Sequence, residues 1–184
     1  MKMARESIKL DPQNATAHCW LAIVHFFRRE NELFMTEASR ALALTPNDAE
    51  TLANIGHYIA FSGEFERGCE LMSQAIALNP LHAGWYHFAF ARRAYDARDY
   101  QRALDEIDRI NMPEFYWTRF LRICALGQLG DMKGAAQAHE ELRERRPNFD
   151  PRTEIAKWNA APGDAEHLVE GWQKAGFLAP DAGA

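Results

Sequence analysis

Apolar residues follow a helical period along most of the chain, and they come in pairs of blocks. Between residues 49 and 82, apolar or small residues recur at intervals of three and four, which places them on one face of a helix. Gly63-Glu64 separates the two blocks. The pattern predicts a helix hairpin with these core positions: Leu52, Ile55, Gly56 and Ile59 in the first helix, and Gly68, Met72, Ala75 and Ile76 in the second.

Five of the eight prolines recur at an almost constant spacing, which indicates that this hairpin is repeated along the chain. They are separated by 34, 34, 33 and 34 residues, at Pro12, Pro46, Pro80, Pro113 and Pro147. The residues before the first three also repeat, as Ile-Lys-Leu-Asp-Pro, Leu-Ala-Leu-Thr-Pro and Ile-Ala-Leu-Asn-Pro. A proline cannot continue a helix and disfavours helical backbone in the residue before it. Each proline of the series therefore predicts the end of a helix.

A period of 34 residues with two antiparallel helices and a final proline resembles the tetratricopeptide repeat, or TPR, and residues 49–82 fit its pattern closely. That pattern needs small residues where the two helices cross, because only a short side chain lets two backbones approach. Gly56, Gly68 and Ala75 fill those places. The resemblance implies an all-α fold, a right-handed superhelix (an α-solenoid of helix hairpins) with capping helices at the C-terminal end.

Four complete hairpins and an unmatched N-terminal segment are expected. The hairpins span residues 15–48, 49–82, 83–115 and 116–148, of which the third is divergent because its second helix ends early, at Ile110-Asn111. In the fourth, Ile123 and Leu142 stand at normally small positions, which predicts a wider helix crossing. Residues 1–14 align with the second half of a repeat whose first helix is missing. We therefore expect a segment cut from a longer protein, or an unusual N-terminal cap.

The regular proline spacing does not continue into residues 149–178, whose sequence predicts two short amphipathic helices. Ile155 and Trp158 are three residues apart in the first, and Leu168 and Trp172 are four apart in the second, with Gly176 placed to end it. Their aromatic faces are expected to cap the last hairpin, and the alternative is that Trp158 and Trp172 form a docking surface. Residues 179–184 are expected to be a disordered tail.

Several short stretches carry a narrower resemblance, to the TPR tails that follow the catalytic domain in bacterial class III adenylate/guanylate cyclases. The stretches are Asn79-Pro80-Leu81-His82, Trp85-Tyr86, Gly130-Asp131, Arg146-Pro147-Asn148-Phe149 and residues 170–176. Related tails follow winged-helix DNA-binding regions in some bacterial regulators. The chain departs from the cyclase tails at Trp172 and Gln173, where those tails more often have a Leu-Arg pair. The resemblance implies a signalling parent protein and transfers no catalytic residue.

Composition and charge exclude several partners and compartments. The 184 residues carry 21 Lys and Arg against 26 Asp and Glu, a net charge of -5, which gives no general attraction to nucleic acid or anionic membrane. The sequence contains no run of 18 apolar residues, which a membrane-spanning helix would need. Its charged first residues lack the apolar segment of a signal peptide. The three cysteines are far apart and odd in number, which favours reduced thiols and a cytoplasmic protein.

Signatures of catalysis and of cofactor binding are missing from the sequence. It contains no phosphate-binding glycine loop, H-E-x-x-H, C-x-x-C or G-x-S-x-G motif. His139-Glu140-Glu141 and the pair His18 and His25 lack a convincing third metal ligand. We therefore predict a protein that is not an enzyme, without catalytic residues, cofactor or bound metal.

The first helix of each hairpin lines the concave surface of a TPR array, and here it is rich in aromatic residues. Aromatic residues and arginine are frequent anchors of protein interfaces. The positions read from the repeat predict a partner-binding groove formed by Phe27, His57, Phe61, Trp85, Arg92, Tyr95, Trp117 and Phe120. The alternative is that these aromatic residues only pack between hairpins. Only Asn54 has the residue type of the clamp that holds chaperone C-termini in some TPR domains, so that role is not expected.

These observations predict a non-catalytic interaction or regulatory module, and the cyclase resemblance implies that it is a fragment of a larger bacterial signalling protein such as a class III nucleotide cyclase. It would bind a partner segment or its own catalytic domain in the aromatic groove. The alternative is a self-assembly module that forms a weak homo-oligomer through the N-terminal half-repeat.

Overall fold

We describe the fold from a computed structural model, in which residues 1–157 and 162–178 are described. In this part of the chain the regular structure consists of α-helices and one 3₁₀ helix, and there is no strand. The chain divides into two compact units, unit 1 (Met1–His82) and unit 2 (Ala83–Ala184). Both units are therefore helical, as the spacing of apolar residues in the sequence predicts.

Unit 1 consists of a single helix followed by two helix hairpins. The helices are α1 (Lys2–Leu10), α2 (Ala15–Phe27), α3 (Asn31–Leu44), α4 (Ala49–Phe61) and α5 (Phe65–Leu78). α2 packs along α3, and α4 packs along α5, while α1 lies against α2 and α2 against α4. The apolar faces of these helices form the core, in which Phe26, Phe34, Ile55 and Met72 are fully buried.

Unit 2 has two further hairpins, followed by two helices at the C-terminal end. After a 3₁₀ turn at Gly84–Tyr86 come α6 (His87–Asp96), α7 (Tyr100–Arg109), α8 (Trp117–Leu129), α9 (Met132–Arg145), α10 (Pro151–Ala156) and α11 (Pro162–Lys174). α6 packs along α7, α8 along α9, and α11 along α8. Trp158 and residues 179–184, assigned above to a capping helix and a tail, lie outside the described residues.

The prolines of the series follow helix ends, as the sequence predicts. α1, α3, α5 and α9 each end two residues before a proline, at Leu10, Leu44, Leu78 and Arg145. α7 ends at Arg109, four residues before Pro113, and the chain then turns through Asn111 in a left-handed conformation with φ of 37°. The early end of this helix, which the sequence places at Ile110-Asn111, is confirmed.

Short polar side chains begin four of the eight hairpin helices by accepting a hydrogen bond from a first-turn amide. Asp48 Oδ2 accepts from the amide of Thr51 at 2.7 Å, and Asn14 Oδ1 accepts from that of Ala17 at 2.9 Å. Asp131 does the same for α9, with Oδ1 2.9 Å from the amide of Gly134. Such caps satisfy backbone donors that have no partner within the helix.

The α4–α5 hairpin crosses at two glycines, as the TPR resemblance implies. A Cβ atom added to Gly68 would lie 2.5 Å from both the carbonyl oxygen of Gly56 and the amide nitrogen of Ala60. A Cβ atom added to Gly56 would lie 2.9 Å from the carbonyl oxygen of Gly68. Since backbone atoms cannot rotate away, the missing side chains set the distance between these two helices.

Replacing Gly68 by alanine is therefore expected to destabilise unit 1 by about 1–3 kcal/mol through overpacking, with a smaller loss for Gly56→Ala. Chemical denaturation followed by circular dichroism measures both. Gly163→Ala is the matched control, because a Cβ atom there meets nothing within 4 Å and alanine favours a helix. Equal stability of Gly68→Ala and the unmodified protein would contradict this account of the crossing.

α11 approaches α8 even more closely. A Cβ atom on Gly127 would lie 2.1 Å from the carbonyl oxygen of Gly171. Around this contact Trp172 is buried, with its ring 5.6 Å from the rings of both Phe120 and Phe149. Gly176 then ends the helix with φ of 81°, and its amide donates to the carbonyl of Gln173. The predicted glycine stop is confirmed, and Trp172 lies in the core of unit 2.

Candidate functional site

In unit 1, the residues predicted to line the groove differ in their accessibility. Phe27 is 48% exposed at the end of α2. Phe61 is half-buried, and its ring lies 4.6 Å from that of His57, which is buried. Burial lowers the pKa of His57 to about 4, so the imidazole is neutral at pH 7. Phe27 and Phe61 are therefore at least partly accessible to a partner, and the buried ring of His57 packs against that of Phe61.

In unit 2, α11 covers part of the surface that the sequence assigns to the groove. Tyr95 is buried, with its ring stacked 4.4 Å from that of His167, and its hydroxyl donates to the carbonyl oxygen of His167 at 2.8 Å. Phe120 is buried beneath Trp172. Both side chains serve as packing surface for α11, which is the alternative that the sequence left open for the aromatic residues.

Three further predicted groove residues of unit 2 also have neighbours within the unit. Trp117 is buried against Phe120, with ring centroids 4.9 Å apart. Trp85 is half-buried, and the centroid of its ring lies 4.5 Å from that of the Tyr86 ring. Arg92 is buried, and its Nη2 donates to Oδ2 of Asp96 at 3.0 Å. The arginine that could pair with an acidic ligand is thus paired within its own helix.

Arg92, Asp96 and His167 of unit 2 form a cluster between α6 and α11. Burial raises the pKa of Asp96 to about 6, and Arg92 opposes this rise. Burial also lowers the pKa of His167, whose Nδ1 lies 3.9 Å from Oδ1 of Asp96. Because Arg92 and Asp96 belong to α6 and His167 belongs to α11, the cluster connects two helices of the unit.

An accessible apolar surface lies on α2 of unit 1. Trp20 is 55% exposed and Phe27 is 48% exposed, and Phe27 follows Trp20 by seven positions, which is about two helical turns. Both side chains consequently lie on one side of α2. Next to Trp20, α4 contributes Glu50 and Asn54 to a small cleft whose other members are Thr16, Cys19, Asp48 and Thr51. We call Trp20, Phe27, Glu50, Asn54 and Phe61 the α2–α4 face.

The electrostatic character of the α2–α4 face is acidic. Glu50 is exposed, and Asp48 lies beside it at the start of α4. Burial raises the pKa of the Cys19 thiol to about 11, and the negative charges of Glu50 and Asp48 add to the rise. The thiol is therefore protonated at neutral pH and is a poor nucleophile. The face combines exposed apolar side chains with two carboxylates and favours a cationic ligand.

Trp20 is the residue of this face that the sequence interpretation missed. The predicted groove residues include Phe27 of α2 but not Trp20, whose neighbour Cys19 is buried. The spacing of Thr16, Trp20 and Phe27, at intervals of four and seven, contains a usable signal. It places two large aromatic residues on the side of α2 that carries the exposed Thr16, rather than on the side that contacts α3.

The histidines considered as metal ligands are paired or packed. Nδ1 of His18 lies 2.5 Å from Oε2 of Glu37, and Nδ1 of His25 lies 2.5 Å from Oε2 of Glu30. The ring of His139 stacks on Phe177, 3.9 Å away. Within residues 1–157 and 162–178, no three His, Cys, Asp or Glu side chains are grouped so that they could hold a metal ion.

Over the same two ranges, none of the helices combines the length and the apolar character needed to span a membrane. Cys19, Cys69 and Cys124 are buried and are not joined by a disulfide bond.

Comparison with known proteins shows similarity in structure but not in sequence. No protein-family model matches the chain, and neither does the sequence of any curated protein. The solved structure of PilW, described as a widely conserved type IV pilus biogenesis factor, has a TM-score of 0.72 at 14% identity. It covers 94% of this chain and 79% of PilW.

Two further solved structures are similar over most of their length. YrrB, described as a TPR protein with an unusual peptide-binding site, has a TM-score of 0.59 at 16% identity, covering 97% of this chain and 93% of YrrB. MamA has a TM-score of 0.58 at 16% identity, covering 88% of this chain and 89% of MamA. Together with the hairpins and their 34-residue period, these similarities show that the chain has the all-α fold of TPR proteins, an α-solenoid of helix hairpins.

Proposed function

We propose that the chain is a non-catalytic interaction module whose α2–α4 face binds an apolar and positively charged segment of a partner protein. The fold supports this, since it is shared with a TPR protein described as having a peptide-binding site. The single observation that carries the proposal is the exposure of Trp20 and Phe27 together on one side of α2. Large aromatic side chains exposed on the same side of a helix are costly to hydrate and are typical of binding surfaces.

The charge of the face specifies the partner more closely. Glu50 and Asp48 lie on the α4 side of Trp20, so a lysine or arginine near an apolar anchor would meet a carboxylate there. Electrostatic complementarity of this kind contributes to specificity and to the rate of association. The proposed ligand therefore has a bulky apolar side chain that packs on Trp20 and Phe27, with a cationic side chain next to it.

Two helical peptides of twelve residues test this proposal. Both contain leucine on one face, and they differ in having lysine or glutamate at the polar positions. We expect the lysine peptide to bind more tightly, as measured by fluorescence anisotropy. Trp20→Ala is expected to weaken its binding about 30-fold, the effect of a hot spot worth about 2 kcal/mol. Glu50→Lys is expected to reverse the preference between the peptides.

Leu33→Ala provides the matched control. Leu33 is 48% exposed on α3, as exposed as Phe27, and lies outside the α2–α4 face. Its replacement is expected to leave both affinities unchanged. If the lysine and glutamate peptides bind equally well, or if Glu50→Lys leaves their order unchanged, the assignment of a cationic ligand to this face is wrong.

The broader role is a proposal that rests on sequence resemblance. The stretches shared with TPR tails of class III cyclases support a cytoplasmic signalling protein as the parent, with its catalytic domain as one candidate partner. Self-assembly is the second candidate function, and the exposure of Met3 and Leu10 on α1 favours it, because apolar edges recruit partners.

A further inference from the structure

A second apolar surface lies on the opposite side of Trp20, between α1 and α2 of unit 1. This cleft has a volume of about 540 Å³ and is lined by Met1, Met3, Ala4, Ser7, Asn14, Thr16, Ala17, Trp20 and Val24. None of these side chains is charged, and Met3 is 86% exposed. We propose that this cleft binds an amphipathic helix of another protein. The bound helix has the side-chain pattern of the first helix of a repeat.

The internal repeat shows what a cleft of this kind holds. A shift of 34 residues places α1 on the second half of α3 and α2 on α4, so Ala4 and Ser7 correspond to Ala38 and Ala41. The groove between α3 and α4 is occupied, because α2 packs against both helices. Ala38 and Ala41 are fully buried there, whereas Ala4 and Ser7 are partly exposed. The cleft is therefore the equivalent of a groove that receives a helix elsewhere in the same unit.

The contacts of α2 in the occupied groove define the expected ligand. Phe26 is fully buried, with its ring 5.0 Å from that of Tyr58 on α4 and 5.7 Å from that of Phe34 on α3. One turn earlier, Ala22 is also fully buried, and its small side chain permits a close crossing. Val24 is the counterpart of Tyr58. A helix seated in the cleft would place a small residue over α1 and, four residues later, a bulky apolar residue against Val24.

Trp20 adds apolar area at the rim of this cleft. Its counterpart in the next repeat is the polar Asn54, so the exposed indole is a feature of α2 alone. Of the residues of the α2–α4 face, the cleft contains Trp20 but not Phe27, Glu50, Asn54 or Phe61. The proposal is therefore independent of the proposed function and can be tested separately from it.

A labelled peptide with the sequence of residues 15–27, the first helix of the first full repeat, is a suitable probe. It contains the small residue Ala22 and, four residues later, the bulky Phe26, and two asparagines added at each end increase its solubility without adding charge. We expect saturable binding to the full chain in fluorescence anisotropy, and no binding of a scrambled peptide. Ala4→Leu, which fills the cleft, is expected to weaken binding at least about tenfold, a loss of about 1.4 kcal/mol.

Ala43→Leu is the matched control, because Ala43 is an exposed alanine on α3 and does not line the cleft. It should bind the peptide like the unmodified protein, and circular dichroism should show the same helical content for both variants. Val24→Glu provides a second test from the α2 side of the cleft and should also weaken binding.

Three results would overturn the proposal. The first is that the peptide does not bind, and the second is that Ala4→Leu and Val24→Glu leave its affinity unchanged. The third is a dimer of the chain in light scattering that Ala4→Leu dissociates while the peptide fails to compete for it, which would assign the cleft to a second copy. Glu50→Lys should not affect this peptide, so failure here is distinguishable from failure of the α2–α4 face.

Discussion

Replacement of Trp172 by alanine is expected to lower the free energy of unfolding of unit 2 by about 3–5 kcal/mol, the usual cost of deleting a large buried aromatic side chain. The indole is buried between the rings of Phe120 and Phe149, each 5.6 Å away, and it lies 5.7 Å from that of His139. Its loss would leave a cavity at the centre of the contact between α11 and α8. The C-terminal helix is therefore expected to stabilise unit 2 strongly.

Urea denaturation followed by circular dichroism measures this loss, and amide hydrogen exchange localises it. The amides of α8 should lose protection, while those of α4 in unit 1 should keep it. Trp20→Ala is the matched control, because the exposed indole of Trp20 should contribute within about 0.5 kcal/mol. A Trp172→Ala protein as stable as the unmodified chain would show that the packing of α11 does not stabilise the unit.

The second large effect is a loss of stability in acid that depends on His57. Burial lowers the pKa of this imidazole from 6.5 to about 4 in the folded protein. A lowered pKa means that folding favours the neutral form. The contribution is complete above about pH 6.5 and is lost as the pH falls toward 4. A shift of this size corresponds to roughly 3 kcal/mol, at 1.36 kcal/mol for each pKa unit.

Two variants without the titrating group test this. His57→Phe keeps an aromatic ring beside Phe61, and His57→Leu keeps an apolar side chain of similar size. The free energy of unfolding should fall between pH 7 and pH 4.5 by roughly 2–3 kcal/mol less in both variants than in the unmodified protein. Each variant is compared with itself at the two pH values, so a change in packing does not affect the result. An identical pH dependence in all three proteins would show that His57 is not buried in its neutral form.

The two proposed binding surfaces of unit 1 differ in chemistry although they share a helix. The α2–α4 face has carboxylates next to its aromatic side chains, whereas the cleft between α1 and α2 has no charged lining. A segment with lysine or arginine suits the first, and the apolar side of a helix suits the second. The variants Glu50→Lys and Ala4→Leu therefore separate the two activities in one protein.

Local physical rules determined the helices and where they end. Apolar residues at intervals of three and four can bury only one face of a helix, and a proline removes a backbone donor, so four helices stop two residues before a proline. Gly56 and Gly68 indicated the close crossing of α4 and α5, since no other residue leaves room for the backbone contacts seen there. These features need only neighbouring residues, and the sequence alone was enough to predict them.

Accessibility was decided by tertiary structure, because it depends on which segment returns to cover a surface. Tyr95 and Phe120 have the residue types and positions of groove residues, but α11 folds back from more than 40 residues further along the chain and buries both. Trp20 lies between a cleft lined by α1 and a cleft lined by α4, and it stays 55% exposed. The sequence by itself determined that the chain is a series of helix hairpins, and it predicted that their first helices carry many aromatic residues. Which of those aromatic side chains a partner can reach followed only from the packing of distant helices.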